Sequence, residues 1–372
     1  MSLGYGTVLT LLADIRDRFD FSDSDVGLIA FAGFAAGFVA QVFLARYADR
    51  GYSVIMVRIG LAAAALAMGW LTVADELWQW VGARLLLGIG SGAVSPAIRR
   101  VVIARDPANV GANLGRQMSF DISGFVLGPL LAAVLAEAFG LRAPFAVLLV
   151  MYAVVLILIW RLELHAGMLG SERRVLRGLL ARPAMQAALC SAIAFYVTIG
   201  MFEALWALLL KDLGAETWVV GVTLSVFTVP MIFLAPLGGR TAQRQGPMRV
   251  VMFSVALAAT CTLSYGLLPL ALVLVVSIVH AVADSFTMPS NQVAVALSTP
   301  PDQIAAGQGL LSAVGLAVAG ITALSGAAIY DAAGRGVVFG ATAAVMTLFL
   351  TMAAWRGRTL MAPAAALAAT TA

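Results

Sequence analysis

Eleven stretches of about twenty largely apolar residues follow one another along the chain, separated by short breaks rich in charges and turn formers. They run 26–45, 54–73, 77–98, 117–138, 144–162, 184–209, 218–238, 250–269, 271–293, 308–329 and 337–355. A helix rises about 1.5 Å per residue and the bilayer's hydrocarbon core is about 30 Å thick, so each stretch predicts one helical crossing. Outer-membrane barrel strands would be about half as long and would alternate apolar with polar positions, which excludes a barrel. A further apolar fragment at 1–13, about 20 Å long as a helix, is too short to cross.

The two halves of this pattern superimpose. Shifting the chain by 194 positions sets Val26, Gly27, Arg46, Ala48 and Arg50 on Val220, Gly221, Arg240, Ala242 and Arg244. The same register sets Gly6, Leu11 and Ala13 on Gly200, Leu205 and Ala207, so the fragment 1–13 matches only the latter part of the span that starts near 184. The expectation is an internal duplication with about ten residues of span 1 missing, a construction common among transporters; chance identity among Gly, Ala and Val is the alternative. The spans then number twelve in two bundles of six. The expected domains are an N-terminal bundle over 1–162, a basic linker over 163–182, a C-terminal bundle over 183–355 and a tail over 356–372.

Composition narrows the class. The 372 residues are 62% hydrophobic and 11% charged, against roughly 45–50% and about 25% in soluble domains, so a water-exposed globule is excluded and a polytopic all-α membrane protein remains. The net charge of +4 matters less than its distribution. Loops after the even-numbered spans, with the C-terminus and with Arg161 at the very end of span 6, hold 16 basic residues; the opposite loops hold five, and Arg58 and Arg84 lie deeper within spans. Positive residues collect on the cytoplasmic side, which predicts a multi-pass protein of a bacterial cytoplasmic (inner) membrane with its C-terminus in the cytoplasm. The arginines are thus topological, and no nucleic-acid partner is expected. Cys190 and Cys261 each sit in an apolar run, which favours neither a disulfide nor a metal site. No nucleotide loop, metal-ligand spacing or nucleophile arrangement is found, so neither an enzyme nor a cofactor is expected; "GIGSGA" (88–93) lacks the lysine of a phosphate loop.

Three local motifs carry a resemblance. "LARYADRGYS" (44–53) places Asp49 and Arg50 in the loop between spans 2 and 3, and its counterpart "GGRTAQRQGPMR" (238–249) keeps Arg240 and Arg244 but has Gln243 where Asp49 would fall. "RLLLGIGSGA" (84–93) sets Arg84 before a glycine face of Gly88, Gly90 and Gly92, and "GFVLGP" (124–129) sets Gly124, Gly128 and Pro129 in span 5. Together with two six-helix halves joined by a basic loop, these resemble the major facilitator superfamily, most closely its drug:proton antiporter branch. The match is incomplete: Ala45 replaces a leading glycine, Tyr52 and Ser53 replace trailing basic residues, and Ala132 and Ala133 replace a final glycine pair. The fold implied by the resemblance places spans 1, 4, 7 and 10 around a central cavity.

Ionisable groups inside spans need a reason, since each costs about 2.5–3.5 kcal/mol at a helix centre. Arg84 and Glu203 each lie roughly 10 Å below the outer surface by helix rise. His280 and Asp284, four apart, share a helix face. The resemblance implies that Arg84, Glu203, His280 and Asp284 line one aqueous path, where Glu203 and Asp284 accept protons, Arg84 modulates them and His280 tunes Asp284. Static interhelical pairs are the alternative reading. Phe202 and Trp206, with Phe195 and Tyr196, are candidate substrate contacts for a cationic or amphiphilic compound. Asp121 is expected near the inner end, among Arg50, Arg99 and Arg100, with Asp49 facing the amino-terminal end of span 11, as a cytoplasmic gate. Gly124, Gly128 and Pro129 are expected to form a bending seam across the halves.

The sequence therefore predicts a monomeric secondary transporter exchanging a small molecule for protons across the lipid bilayer. A metabolite or sugar transporter of the same fold, and a non-transporting or inactive truncated membrane protein, are the alternatives.

Overall fold

A computed structural model describes residues 1–160 and 175–364. The linker expected over 163–182 is therefore described only from 175, and the tail expected over 356–372 only to 364; the remainder lies outside the described residues. Every regular element among the described residues is helical: α1 Ser2–Thr10, α2 Leu12–Phe19, α3 Asp23–Tyr47, α4 Ser53–Leu71, α5 Leu77–Arg105, α6 Val110–Phe139, α7 Ala143–Trp160, α8 Val175–Leu180, α9 Pro183–Asp212, α10 Thr217–Gln245, α11 Pro247–Tyr265, α12 Leu270–Ser298 and α13 Ile304–Arg356. In lipid each backbone N–H must be satisfied within its own segment, so apolar windows become helices with little choice.

Several helices overrun their apolar windows. The helix α6 begins at Val110 rather than near 117, and α5 continues to Arg105 rather than ending near 98. Hydropathy marks the part of a helix that lies in lipid, whereas the helix itself persists into the polar layer. Two crossings can also share one nearly continuous helical path. Between α3 and α4 the chain turns over Ala48–Tyr52 with Gly51 at φ +90°, and α13 breaks at Gly334, φ +76°. Both angles favour glycine because a Cβ would meet the backbone.

The chain packs as two compact units. Unit 1 comprises Met1–Arg105, Phe120–Val175 and Pro301–Leu310; unit 2 comprises Asp106–Ser119, Leu176–Pro300 and the residues from Leu311 onward. The first turns of α6 thus pack with helices of the C-terminal half, and the first turns of α13 with helices of the N-terminal half.

In unit 1, α5 is the central post. Its glycines alternate between two partners: a Cβ on Gly92 would stand 2.6 Å from the Gly37 carbonyl on α3, and one on Gly90 would stand 2.7 Å from the Gly60 carbonyl on α4. Association in lipid depends on close van der Waals contact, and small residues bring the backbones together. Toward its start α5 inserts Trp80, fully buried, against Phe145 of α7 at 5.9 Å between ring centres. Unit 2 repeats the device on α9, where Gly200 packs on the Ala319 carbonyl and Thr322 of α13. Polar side chains join its helices as well: Ser191 donates to Asn291 at 2.7 Å and Thr287 to Ser254 at 2.8 Å.

Candidate functional site

In unit 1 the glycine face that draws α5 against α3 also buries Arg84 completely. Its Nε donates to the Ile29 carbonyl at 3.3 Å, and its guanidinium carbon lies 5.0 Å from the ring centre of Tyr5 on α1. A Cβ on Gly33 would stand 2.6 Å from Nη2, so glycine there makes room for the cation. Neither Nη1 nor Nη2 has a hydrogen-bond partner among the described residues. The Tyr5 hydroxyl lies 3.2 Å from the Gly33 carbonyl and 2.9 Å from Ser91 Oγ, which ties α1 to the same node.

In unit 2 the i, i+4 spacing of His280 and Asp284 on α12 turns both inward, 0% and 1% exposed. His280 Nε2 lies 3.7 Å from Asp284 Oδ1, and the Tyr265 hydroxyl of α11 lies 3.1 Å from His280 Nδ1. Three rings close around the imidazole: Phe202 of α9 at 5.3 Å, Phe227 of α10 at 5.9 Å and Tyr265, stacked, at 5.8 Å. Neither Asp284 oxygen has a hydrogen-bond partner among the described residues. His280 and Asp284 are thus buried inside unit 2, because the face of α12 that carries them packs against α11 and the aromatic residues of α9 and α10. Glu203, one residue after Phe202, is exposed. Trp206 is 3% exposed and donates through Nε1 to Thr223 at 3.0 Å, while its ring packs 4.7 Å from that of Phe202.

The turn between α3 and α4 builds a second polar centre in unit 1. Asp49, 4% exposed, accepts the Ala305 N–H on Oδ1 and the Ala306 N–H on Oδ2, both at 2.8 Å, at the first turn of α13. Arg100, on α5, donates through Nε to Oδ1 at 3.0 Å. The start of a helix presents unpaired N–H groups and a partial positive charge, both of which favour an anion. Arg50 stacks on Tyr47 at 5.5 Å, and Arg99 is half-buried beside Arg100.

Asp121 does not join these arginines, contrary to the sequence expectation. It is exposed on α6 and accepts from Ser2 Oγ at 3.4 Å. The reason is the early start of α6 at Val110: eleven residues of helix carry Asp121 about 16 Å beyond that end, level with the start of α1 instead of the inner cluster.

The seam formed by Gly124, Gly128 and Pro129 also differs from expectation, for it lies within unit 1. A Cβ on Gly128 would stand 2.6 Å from the Leu3 carbonyl of α1, Thr7 donates to the Gly128 carbonyl at 3.2 Å, and Pro129 touches Gly6. One contact between the two halves of the sequence uses an earlier glycine pair on α6, Gly111 and Gly115, pressed against Gly239 and Ala235 of α10. Both pairs have the same spacing, so the motif alone did not reveal which helix each would meet. There Gln243 accepts the Gly111 N–H at 2.7 Å. Sequence reading passed over Gly111, Gly115 and Tyr265; the register of the internal repeat was the signal available for the first two.

Among the described residues, two six-helix halves with ionisable groups buried within apolar helices are the architecture of a multi-pass membrane protein. The chain belongs to the Major Facilitator Superfamily, whose profile matches residues 1–203 and again 187–369. It is similar to the Multidrug resistance protein MdtG of Serratia proteamaculans (strain 568), 26% identical over 241 residues that cover 61% of this chain and 58% of that protein. The chain is thus matched over less than two thirds of that relative's length. In fold it is similar to the proton:xylose symporter XylE (TM-score 0.79, 14% identity, 99% and 96% of the two chains covered) and to the E. coli fucose:proton symporter FucP (TM-score 0.76, 15% identity, 95% and 96% covered). A superfamily transporter moves solutes and is not an enzyme.

Proposed function

We propose that the chain is a proton-driven exporter of small amphiphilic or cationic molecules in a bacterial inner membrane, working by alternating access with its C-terminus in the cytoplasm. The observation that carries the reading is Asp284: a carboxyl in the middle of an apolar helix, 1% exposed, with no hydrogen bond to either oxygen among the described residues. A buried ionised group without partners costs several kcal/mol, so an acid in that setting is suited to holding and releasing a proton. His280 at 3.7 Å provides a second proton carrier, and Tyr265 fixes the imidazole. In the tautomer in which the Tyr265 hydroxyl donates to Nδ1, the ring proton is on Nε2, the nitrogen 3.7 Å from Asp284.

Glu203 supplies an exposed carboxylate in the same unit, beside Phe202, where a cationic group finds opposite charge and an aromatic face. The relatives named for multidrug resistance agree with export of such compounds. Proteoliposomes under an imposed pH gradient test the reading: a panel of lipophilic cations should evoke proton movement that Glu203→Gln and Asp284→Asn each reduce at least tenfold. Proton movement unchanged in both variants would overturn it.

A further inference from the structure

One face of α12 is polar along most of its length, although that face is buried. His280, Asp284, Thr287, Asn291 and Ser298 follow one another at steps of four, three, four and seven, which return a helix to the same side. All five are at most 6% exposed. The apolar position on this face is Ala294, whose carbonyl accepts from Ser298 at 2.7 Å. The row leads from Asp284 to Ser298 at the inner end of α12, about 21 Å away by helix rise.

The neighbouring helices meet this row with hydroxyls. Thr287 donates to Ser254 of α11 at 2.8 Å, and Asn291 accepts from Ser191 of α9 at 2.7 Å. Such bonds hold membrane helices together, and that role is complete when every partner is satisfied. Completion is missing here. With Oδ1 taken by Ser191, Asn291 keeps Nδ2, buried and without a hydrogen-bond partner among the described residues, and both Asp284 oxygens and His280 Nε2 are in the same condition. Donor and acceptors share one face about 10 Å apart, with the Thr287 hydroxyl between them. Convergent polar groups of this kind are what a buried water requires, about three for each. The titratable groups beside Asp284 are His280 on its own helix and Cys261 and Tyr265 on α11; α9 and α10 present the rings of Phe202 and Phe227.

We propose that Asp284 exchanges its proton with the inner side through the interior of unit 2, along a file of water ordered by Thr287, Ser254, Asn291 and Ser191. The inference rests on the proton-holding role given to Asp284 above, and adds the route. The carboxyl O–H bond breaks as its proton passes to the first water; each water or hydroxyl gives up one proton as it takes one; the last proton leaves at Ser298. The negative charge stays on the carboxylate, 3.7 Å from His280 Nε2. The Asn291 amide carries no proton itself; fixed by Ser191, it holds the file in place through Nδ2.

Time-resolved infrared spectroscopy of the full chain in nanodiscs, stepped from H2O to D2O without added substrate, follows the carboxyl band that Asp284→Asn removes. Deuterium should reach that carboxyl at least about tenfold more slowly in Thr287→Val and in Asn291→Leu than in the wild type, because each removes a group that positions the transfer. Thr287→Ser, which keeps the hydroxyl, should retain the wild-type rate. So should Ser277→Ala, which lies on the outer side of His280 along α12. Unchanged rates in Thr287→Val and Asn291→Leu would overturn the route. Equal slowing in Thr287→Ser or Ser277→Ala would mark a packing effect or an outer entry and overturn it too, as would the absence of any protonated band belonging to Asp284. No transported compound is involved, so missing cation-evoked flux would count against the exporter and not against the route, while unchanged uptake here would leave export untouched.

Discussion

Arg100 Nε lies 3.0 Å from Asp49 Oδ1, the oxygen that also accepts the Ala305 N–H at 2.8 Å. Both side chains are at most 5% exposed, so base, acid and helix start form one desolvated unit. Its stability depends on all three: the helix start alone carries only about half a charge to set against the carboxylate.

Removing the base alone should therefore be worse than removing the charged pair. Arg100→Ala leaves a buried carboxylate short of its cation and is expected to destabilise the protein by about 3 kcal/mol. The double variant Asp49→Gln with Arg100→Ala, which installs the chemistry of the second half, should recover most of that loss. Thermal unfolding of the two singles and the double in detergent gives the coupling energy; additive losses would refute a shared unit.

Arg84 presents the opposite balance. Its Nη1 and Nη2 are buried without hydrogen-bond partners, and no ion pair among the described residues offsets the expense of burying the cation. Replacing it by an apolar side chain of similar length, Arg84→Met, should raise unfolding stability, up to the roughly 2.5 kcal/mol insertion cost of a central arginine. Transport should fall at least tenfold. Melting temperature and vesicle flux measured on one preparation decide the matter: reduced stability with normal flux would mark Arg84 as structural.

The α1–α6 seam predicts a contrast between glycines. Gly128→Val places carbon against the Leu3 carbonyl, where even a Cβ would stand at 2.6 Å, and should cost about 1–3 kcal/mol. Gly27→Ala meets no atom within 4 Å and should be neutral or stabilising by up to about 1 kcal/mol through helix propensity. Unfolding midpoints of the pair suffice, and equal midpoints would contradict the packing.

Before α6, Asp106 accepts from Asn109 at 3.1 and 3.2 Å and from Asn113 at 3.1 Å, which holds its carboxyl below the ordinary aspartate value of 3.8. A depressed value means that this contribution is complete above the unfolded value and is lost as pH falls through the folded one. Opening of the first turn of α6, measured as exchange corrected for intrinsic amide rates, should hence be constant between about pH 5 and 8. Asn113→Ala should move the Asp106 titration upward, observable by NMR of the labelled carboxyl.

The legible and illegible parts of the molecule divide along physical lines. His280 and Asp284 could be placed on one face because a helix brings positions four apart together. The depth of Asp121 could not be read correctly, since it depended on where α6 starts, and helix continues past the apolar window that marks lipid. Gly124 and Gly128 could not be told from Gly111 and Gly115 by spacing. A small-residue pair states that a helix approaches closely but not which one.

The sequence by itself determined the crossings and the duplication, because lipid forces every apolar stretch to satisfy its own backbone locally. It also determined that Asp49 and Gln243 occupy equivalent places. Only the tertiary structure decided helix rotation. That rotation buried His280 and Asp284 behind Phe202, Phe227 and Tyr265, left Glu203 exposed beside them, and brought Gln243 to the start of α6. In lipid, apolarity does not distinguish one face of a helix from another, so such choices rest on close packing and scattered hydrogen bonds between residues far apart in the chain.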